Sequence, residues 1–367
     1  MREFLMVLLT AAIVTYLSTP LVRRLALRLG AITAVRDRDV HSVPIPRLGG
    51  VAMLLGFTAA VVLGEQLPYH GQLFDASPQL YGVLAAAALV TLLGAVDDVR
   101  ELDWLTKLAG QVVAGAVMAF YGVQLLSLPI LGVTVLPEPV MVTLTILVVV
   151  ISTNAVNFID GLDGLAAGVV LIAAAAFFGW SYLVSKDFDP PNVFSVATFI
   201  SAAVIGVCLG FLPHNFHPAR LFMGDAGALL LGLLLAAATI SMTGSVDPSS
   251  SLASTSATTA FLLPLLIPVA IMALPFLDIV LAVSRRTRAG QLPWKPDRGH
   301  LHHRLLDIGH SHRRAVVILY LWAGLIAVGA VSFAYLTPWV SVLGIVLLLA
   351  LAIVLTRGPR RQPVASP

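Results

Sequence analysis

Long apolar segments follow one another along the chain and are separated by short polar stretches. A helix needs about 20 mostly apolar residues to cross the hydrocarbon core of a bilayer. The segments that come close to this length are 4–27, 47–64, 80–96, 105–123, 139–157, 164–184, 193–212, 225–244, 259–283, 314–334 and 338–356. This pattern predicts an all-α polytopic membrane protein, a bundle of about 11 transmembrane helices.

The composition supports a membrane protein. The chain is 58% hydrophobic and only 11% charged, whereas soluble domains carry about 25% charged residues. A single cysteine, Cys208, excludes a disulfide within the chain. We therefore predict one integral-membrane domain over residues 1–357, followed by a disordered cytoplasmic tail at 358–367.

The basic residues predict the orientation. Lys and Arg are enriched in cytoplasmic loops, and the chain has 22 of them. With the N-terminus outside, only Arg2 and Lys186 fall on the outer side of the predicted spans. The C-terminus and all polar clusters then lie on the cytoplasmic side, where we expect the active site.

The first polar cluster is AVDDVRELDW, at the inner end of the third predicted span. Asp97 and Asp98 are adjacent and repel one another, so a nearby cation should stabilise both as anions. A divalent metal ion or basic side chains could supply that charge. The alternative is a solvated loop with ordinary acidic residues, which suits Asp103 better than this pair.

The second cluster is NAVNFIDGLDGLAAG. Asn154, Asn157, Asp160 and Asp163 are spaced three residues apart, and residues at i and i+3 share a face of a helix. The four side chains could therefore point into one cavity. The alternative is a helix end capped by Asp and Asn, which would explain only one or two of them.

The third cluster is LFMGDAGALLLG, where Asp225 opens the eighth predicted span. This carboxylate could be a plain helix cap. Together with the other carboxylates and amides it would also suit Mg²⁺, which prefers oxygen ligands. Phe222 is predicted either to pack in the core or to stack on a base.

The fourth cluster lies in the longest inner loop, within WKPDRGHLHHRLLDIGHSHRR. Its candidate residues are Arg298, His300, His302, His303 and Arg304. A zinc site is disfavoured because no Cys or Glu completes the ligand set and the arginines repel a cation. Histidine with arginine suits an anion such as phosphate. His310 and His312 are predicted to be surface histidines.

Acids and amides for a metal ion, together with bases for phosphate, suit phosphoryl transfer. These clusters and PRLGG at 46–50 resemble the polyprenyl-phosphate N-acetylhexosamine-1-phosphate transferase family, and the resemblance covers nearly the whole chain. The HLHHRL form is similar to the WecA/TagO-like branch. Leu301 interrupts the three consecutive histidines that are usual in the branch that makes lipid I.

The resemblance implies that GlcNAc-1-phosphate passes from UDP-GlcNAc to a polyprenyl phosphate, undecaprenyl or decaprenyl, with release of UMP. It implies Mg²⁺, for which Mn²⁺ could substitute, and a location in the bacterial inner membrane. A homodimer would fit the family, and no nucleic-acid partner is expected.

The resemblance also implies three groups of site residues. The expected metal ligands are Asp225, Asn157 and Asp98. The expected catalytic carboxylates are Asp97, Asp98 and Asp160, with Asp97 as the base. The expected substrate-binding residues are Asp163 at the uracil, Phe222 stacked on it, and Asn154, Arg298, His300, His302, His303 and Arg304.

Three alternatives stay open. The lipid phosphate could attack the β-phosphorus directly, which we favour because it is already an anion, or an Asp could first form a covalent intermediate. The chain could instead be a lipid I synthase, or a transporter for a nucleotide-sugar or an ion, since acids within membranes often mark transport paths. A transporter is disfavoured because no repeat of broken helices is visible.

Overall fold

The computed structural model describes residues 1–33, 44–126, 136–186, 195–243, 287 and 305–357. Most of these residues are helical. The helices are α1 (Arg2–Leu29), α2 (Gly49–Gln66), α3 (Gly71–Ala76), α4 (Gln79–Arg100), α5 (Trp104–Phe120), α6 (Glu138–Ile159), α7 (Leu165–Lys186), α8 (Val196–Asn215), α9 (Gly224–Thr243), α10 (His312–Tyr335) and α11 (Pro338–Thr356). The strands are β1 (Ile32–Thr33) and β2 (Ile45–Pro46).

Within the described residues, 9 helices are long and apolar enough to cross a membrane. Helix α5 is apolar but shorter than these nine. The predicted span at 259–283 and the predicted tail at 358–367 lie outside the described residues. The prediction of a polytopic helical membrane protein is therefore confirmed, while the count of about 11 spans stays a prediction.

A small sheet departs from the all-α expectation. Strands β1 and β2 pair in antiparallel register, with Ile32 opposite Pro46. The Arg47 backbone N–H donates to the carbonyl of Ala31 at 2.9 Å, and its Nε donates to Thr33 Oγ1. Two-residue strands carry no periodic pattern, so the sequence could not predict them. The sheet fixes the chain just before α2.

Helix α9 occupies the centre of the bundle. It packs against α2, α4, α6 and α8, and 89% of its apolar span is buried. Its start lies unusually close to α4, because a Cβ at Gly94 would lie 2.4 Å from the Ala226 nitrogen. Only glycine at position 94 allows this approach, which brings the C-terminal end of α4 to the first turn of α9.

The other helices surround this centre. Helix α1 packs on α2 and α8, α7 packs on α8 and α10, and α10 packs on α11. Only 11% of the apolar span of α11 is buried, so it lies at the periphery of the described part. A short turn joins the last two helices, since α10 ends at Tyr335 and α11 begins at Pro338.

Three polar clusters meet at one end of the bundle, which we call the site end. Asp97 and Asp98 lie in the last turn of α4, Asp160 directly follows α6, and Asp225 lies in the first turn of α9. Helix packing therefore joins segments that are more than a hundred residues apart in the chain.

Candidate active site

Asp98 joins the C-terminal end of α4 to the start of α9. Its Oδ1 accepts the backbone N–H of Asp225 at 3.0 Å, and its Oδ2 accepts that of Ala226 at 3.2 Å. The first N–H groups of a helix have no partner within the helix, and a carboxylate also suits the positive end of the helix dipole. Asp98 thus supplies the cap of α9 from a different helix.

Gly224 makes room for this cap. Its φ is +67°, a backbone region that favours glycine. A Cβ there would also lie 2.2 Å from Asp98 Oδ2. Both the backbone angle and the space therefore require glycine immediately before Asp225.

Asp97 and Asp225 meet at the ammonium group of Lys107. The Lys107 Nζ lies 2.5 Å from Asp97 Oδ2 and 2.9 Å from Asp225 Oδ2. The side chains of Lys107 and Asp225 are 31% and 24% exposed, so ligands from the aqueous side can reach them. Asp97 Oδ1 also accepts the backbone N–H of Leu102 at 2.7 Å, which fixes the carboxylate.

Helix α6 contributes amides to the same cluster. Asn157 Nδ2 donates to Asp225 Oδ1 at 3.0 Å, one helix turn beyond Asn154. Asn154 Nδ2 donates to Gln111 Oε1 and to the Val150 carbonyl, both at 2.7 Å. Asn157 therefore lies at the carboxylates, whereas Asn154 ties α6 to α5.

The loop that carries Phe222 is held by the segment around the start of α2. The Phe222 N–H donates to the Pro46 carbonyl at 2.9 Å. The N–H groups of Gly49 and Gly50 donate to the carbonyls of Phe222 and Met223, also at 2.9 Å. These bonds fix the backbone that leads into Asp225, and they leave Phe222 half-buried.

Asp160 caps the end of α6 and is half-buried. Burial, followed by the nearby carboxylates of Asp225 and Asp98, raises the pKa of Asp160 to about 7, against the opposing effect of Arg47. Asp160 thus lies within the electrostatic field of the carboxylate cluster.

Asp163 belongs to a separate cluster and is only 1% exposed. Its Oδ2 accepts His217 Nδ1–H at 2.7 Å and the Ala219 N–H at 3.0 Å. Its backbone N–H donates to His312 Nε2 at 3.1 Å. The rings of His217 and His312 stack, with centroids 4.2 Å apart and planes 15° apart.

These bonds determine the proton positions on the two rings. Nδ1 of His217 carries the proton that it donates to the Asp163 carboxylate. Nε2 of His312 accepts a hydrogen bond from the backbone N–H of Asp163, so the ring proton is on Nδ1. The ligand atoms of Asp163, His217 and His312 lie within 4.8 Å of one another, a spacing that a metal ion could also bridge. Hydrogen bonds account for this spacing, and Arg313, which donates to the His217 carbonyl, disfavours a cation there.

The predicted single cavity for the second cluster is wrong for Asp163. Helix α6 ends at Ile159, so the three-residue spacing stops defining one face beyond that point. The prediction that His310 and His312 are surface histidines is also wrong. They are 5% and 8% exposed, and His310 Nε2 bonds to the Thr356 carbonyl.

The structure brings four predicted residues together: Asp97, Asp98, Asn157 and Asp225. Asp103 is the N-cap of α5, since its Oδ1 accepts the N–H groups of Leu105 and Thr106 at 3.0 Å. The predicted anion-binding residues Arg298, His300, His302, His303 and Arg304 lie outside the described residues. Sequence reasoning missed the contacts of Lys107 and His217, although a lysine in the first turn of an apolar helix was a usable signal.

The residues around Lys107 fit a divalent cation. Two carboxylates from different helices converge on one point, and an ammonium group is bound there. A hard cation such as Mg²⁺ prefers this type of oxygen ligand. The remaining ligands of Mg²⁺ are often water and substrate phosphate, and the partial exposure of Asp225 leaves room for them.

Comparison with known proteins identifies the family. A family model described as glycosyl transferase family 4 matches residues 80–243. The decaprenyl-phosphate N-acetylglucosaminephosphotransferase of Mycolicibacterium smegmatis is 45% identical over 99% of this chain and 90% of that protein. The chain belongs to this transferase family.

Other relatives in the family agree with this assignment. The Mycobacterium tuberculosis H37Rv protein of the same name is 47% identical over 92% of this chain and 84% of its own length. A Bacillus subtilis protein described as a probable undecaprenyl-phosphate N-acetylglucosaminyl 1-phosphate transferase is 32% identical over 94% of this chain. The family resemblance stated from the motifs is therefore confirmed, and the segment matched by the family model contains Asp97, Lys107, Asn157 and Asp225.

Proposed function

We propose that this protein transfers GlcNAc-1-phosphate from UDP-GlcNAc to a polyprenyl phosphate and releases UMP. One observation carries the proposal: Asp97 and Asp225 converge on Lys107 at one end of a bundle of apolar helices. Such a cluster suits phosphoryl transfer, which depends mainly on positioning and on charge stabilisation. Membrane-spanning helices suit a lipid acceptor.

The acceptor in this proposal is decaprenyl phosphate. The relatives that are 45% and 47% identical are named for decaprenyl phosphate, whereas the one at 32% identity is named for undecaprenyl phosphate. The abundance of arginine over lysine, which is typical of a GC-rich genome, agrees with the mycobacterial relatives.

The site end faces the cytoplasm in this proposal, and the protein lies in the bacterial plasma membrane. The charge distribution supports this, since Arg23, Arg24 and Arg28 lie in the last turns of α1 at the site end. Arg23 Nε donates to the carbonyl of Arg220 at 3.0 Å, close to the start of α9. Basic residues concentrate on the cytoplasmic side, where UDP-sugars are available.

Mg²⁺ is the proposed metal ion, with Asp225 as its main protein ligand and Asp97 beside it. When bound, the ion would neutralise charge on the diphosphate. Asn157 donates to Asp225 Oδ1 and so orients that carboxylate. Asp98 holds the start of α9 through two backbone bonds, which favours a positioning role over direct ligation.

The chain's own residues have the following roles in the proposed reaction. The diphosphate of UDP-GlcNAc attracts the Lys107 ammonium group, and this frees Asp97 Oδ2. Asp97 then takes the proton of the lipid phosphate, and a phosphate oxygen attacks the β-phosphorus. A new P–O–P bond forms as the bond to UMP breaks. The carboxyl group of Asp160, whose pKa is raised, contributes to the electrostatic field at the reacting phosphates.

The cluster around Asp163 holds the nucleotide in this proposal. The carboxylate itself is buried beneath His217, so its contribution to base recognition is to fix the proton position of the imidazole. Phe222 stacks on the uracil, and the loop at 298–304 holds the sugar and diphosphate.

A UMP-release assay tests the proposal. The purified full chain is given decaprenyl phosphate and a panel of UDP-sugars, with and without Mg²⁺. We expect Mg²⁺-dependent release of UMP with UDP-GlcNAc and none with UDP-MurNAc-pentapeptide. The Asp103→Ala variant is a suitable control, since Asp103 caps α5 close to Asp97 but faces solvent.

Other outcomes would favour the alternatives. Release of UMP only with UDP-MurNAc-pentapeptide would identify a lipid I synthase. Flux of nucleotide-sugar into proteoliposomes without release of UMP would identify a transporter. A sugar phosphate trapped on the protein in the absence of lipid would replace direct attack by a covalent intermediate.

A further inference from the structure

An apolar groove lies between α1, α2 and α4 at the site end. Its volume is ≈ 390 Å³, within the range of roughly 300–1,000 Å³ that is typical of ligand pockets. Leu25 and Leu29 form one wall, and Leu48 and Val51 form the floor. Arg100 is the only charged residue among the described residues that line it.

The groove and the catalytic cluster lie on opposite faces of α4. Val96 and Val99 line the groove and are 36% and 40% exposed, whereas Asp97 and Asp98 are 8% and 9% exposed. Successive residues of a helix are rotated by about 100°, which separates these two pairs around the helix axis. A ligand in the groove would therefore keep its headgroup about one helix diameter, roughly 10 Å, from the reacting atoms.

The charge at this end of the groove is positive. Arg100 lies in the last turn of α4 and lines the groove, and Arg28 lies in the last turn of α1 next to Leu29. Both side chains are exposed. An apolar wall that ends at arginine side chains matches a lipid with an acyl chain and an anionic headgroup.

We propose that this groove binds an anionic phospholipid, whose acyl chain lies against Val51 and Val99 and whose phosphate contacts Arg100. The lipid is a component of the membrane and not the acceptor, because α4 separates it from Asp97 and Asp225. This site is additional to the transferase site.

The bound lipid would stabilise the carboxylate cluster from behind. Leu48, in the floor of the groove, has φ of 90° and is followed by Gly49 and Gly50, whose N–H groups bind the carbonyls of Phe222 and Met223. A residue other than glycine needs support from its surroundings to hold a positive φ. Leu48 is itself 2% exposed, so a lipid would support this turn through Val51, in the first turn of α2, and would support the end of α4 through Val99.

The test measures lipid binding without depending on activity. The delipidated full chain in detergent is titrated with phosphatidylglycerol or with phosphatidylcholine of the same acyl chains. Melting temperature and native mass spectrometry are the readouts. We expect phosphatidylglycerol, but not phosphatidylcholine, to raise the melting temperature and to remain bound as one molecule per chain.

Four variants locate the site. Arg100→Gln removes the headgroup contact and should weaken phosphatidylglycerol binding by about fivefold, the effect typical of one basic residue near anionic lipid. Val99→Trp fills the groove and should abolish binding. Arg24→Gln and Leu92→Trp alter exposed residues on α1 and α4 that do not line the groove, and both should bind as the unaltered chain does.

Several results would overturn the proposal. Equal stabilisation by both phospholipids would show that the arginines do not select an anionic headgroup. Unchanged binding in Val99→Trp would place the lipid elsewhere. Displacement of phosphatidylglycerol by decaprenyl phosphate would assign the groove to the acceptor. Failure of the chain to bind added phosphatidylglycerol would also overturn it.

Discussion

Two carboxylate clusters lie at the site end, and their charges are balanced in different ways. Asp97 and Asp225 face an ammonium group, Lys107 Nζ, and the side chains of Lys107 and Asp225 are partly open to solvent. Asp163 is 1% exposed and accepts hydrogen bonds from His217 and from the backbone N–H of Ala219. An ammonium group on a flexible side chain can move to a ligand, whereas backbone N–H groups cannot. The open cluster is therefore suited to chemistry, and the buried cluster to positioning.

Asp225→Asn should distinguish the roles of the two clusters most clearly. The substitution removes a charge from the open cluster and keeps the shape of the side chain. We expect turnover in the UMP-release assay to fall by roughly 100-fold or more, because one charge-stabilising contact is commonly worth that much in a transition state. The melting temperature should change little, since the lost charge lies in a partly exposed site.

The control for this variant is Asp103→Ala at the start of α5. If Asp225→Asn turned over nearly as fast as the unaltered chain, Asp225 would have no role in the reaction.

Lys107→Gln tests whether the ammonium group competes with a divalent cation. Asp97 and Asp225 would then repel one another without a counter-charge. We expect turnover to fall by roughly tenfold, because the substrate phosphates also lose a cation. The Mg²⁺ concentration that gives half-maximal activity should decrease, since the metal ion meets less competition.

A titration with Mg²⁺ measures both effects, and Lys107→Arg is the matched variant that keeps the charge. An increase in the Mg²⁺ requirement of Lys107→Gln would contradict the competition.

Asp163→Asn should have the opposite balance of effects from Asp225→Asn. The amide is uncharged, so it loses the charge-assisted hydrogen bonds that the carboxylate accepts from His217 and Ala219. Hydrogen bonds to charged groups contribute about 1.5–3 kcal/mol, so the melting temperature should fall by several degrees. The Michaelis constant for UDP-GlcNAc should rise more than turnover falls.

His217→Gln is the companion variant for this prediction, since it removes the imidazole and keeps the carboxylate. If Asp163→Asn lost much of its turnover at an unchanged melting temperature, Asp163 would act in the reaction as Asp225 does. The proposed difference between the two clusters would then be wrong.

Asp103→Ala should have the smallest effect. Asp103 is an exposed helix cap, and the hydrogen bonds from Thr106 lower the pKa of its carboxyl group. Loss of the cap should lower the melting temperature slightly and leave the Michaelis constants unchanged. A marked fall in turnover, measured by UMP release, would show that the acidic cluster extends to the start of α5.

Much of the fold was predictable because each spanning helix carries its own apolar signal. The carboxylates of the open cluster were also predictable, since Asp97, Asp98 and Asp225 stand at the ends of apolar segments. Their partners were harder to predict. Lys107 is 118 residues from Asp225 in the chain, and only the packing of α4, α5 and α9 brings the two side chains together.

The buried cluster was not predictable for a related reason. The direction of Asp163 depends on where α6 ends and on a loop fixed by contacts with distant segments. His312 is 149 residues further along the chain. Helical spacing places Asn154 and Asn157 one turn apart on α6, but only Asn157 reaches the carboxylates. The spacing gave no information beyond Ile159, where the helix ends.

The cap that Asp98 provides for α9 has a consequence for biogenesis. The donors at the start of this central helix gain their partner only when α4 has docked. The same docking brings Asp97 towards Asp225. A chain that has inserted its helices but has not yet assembled them would therefore have neither a finished α9 nor a paired set of carboxylates. Assembly of the bundle and maturation of the site would be a single event.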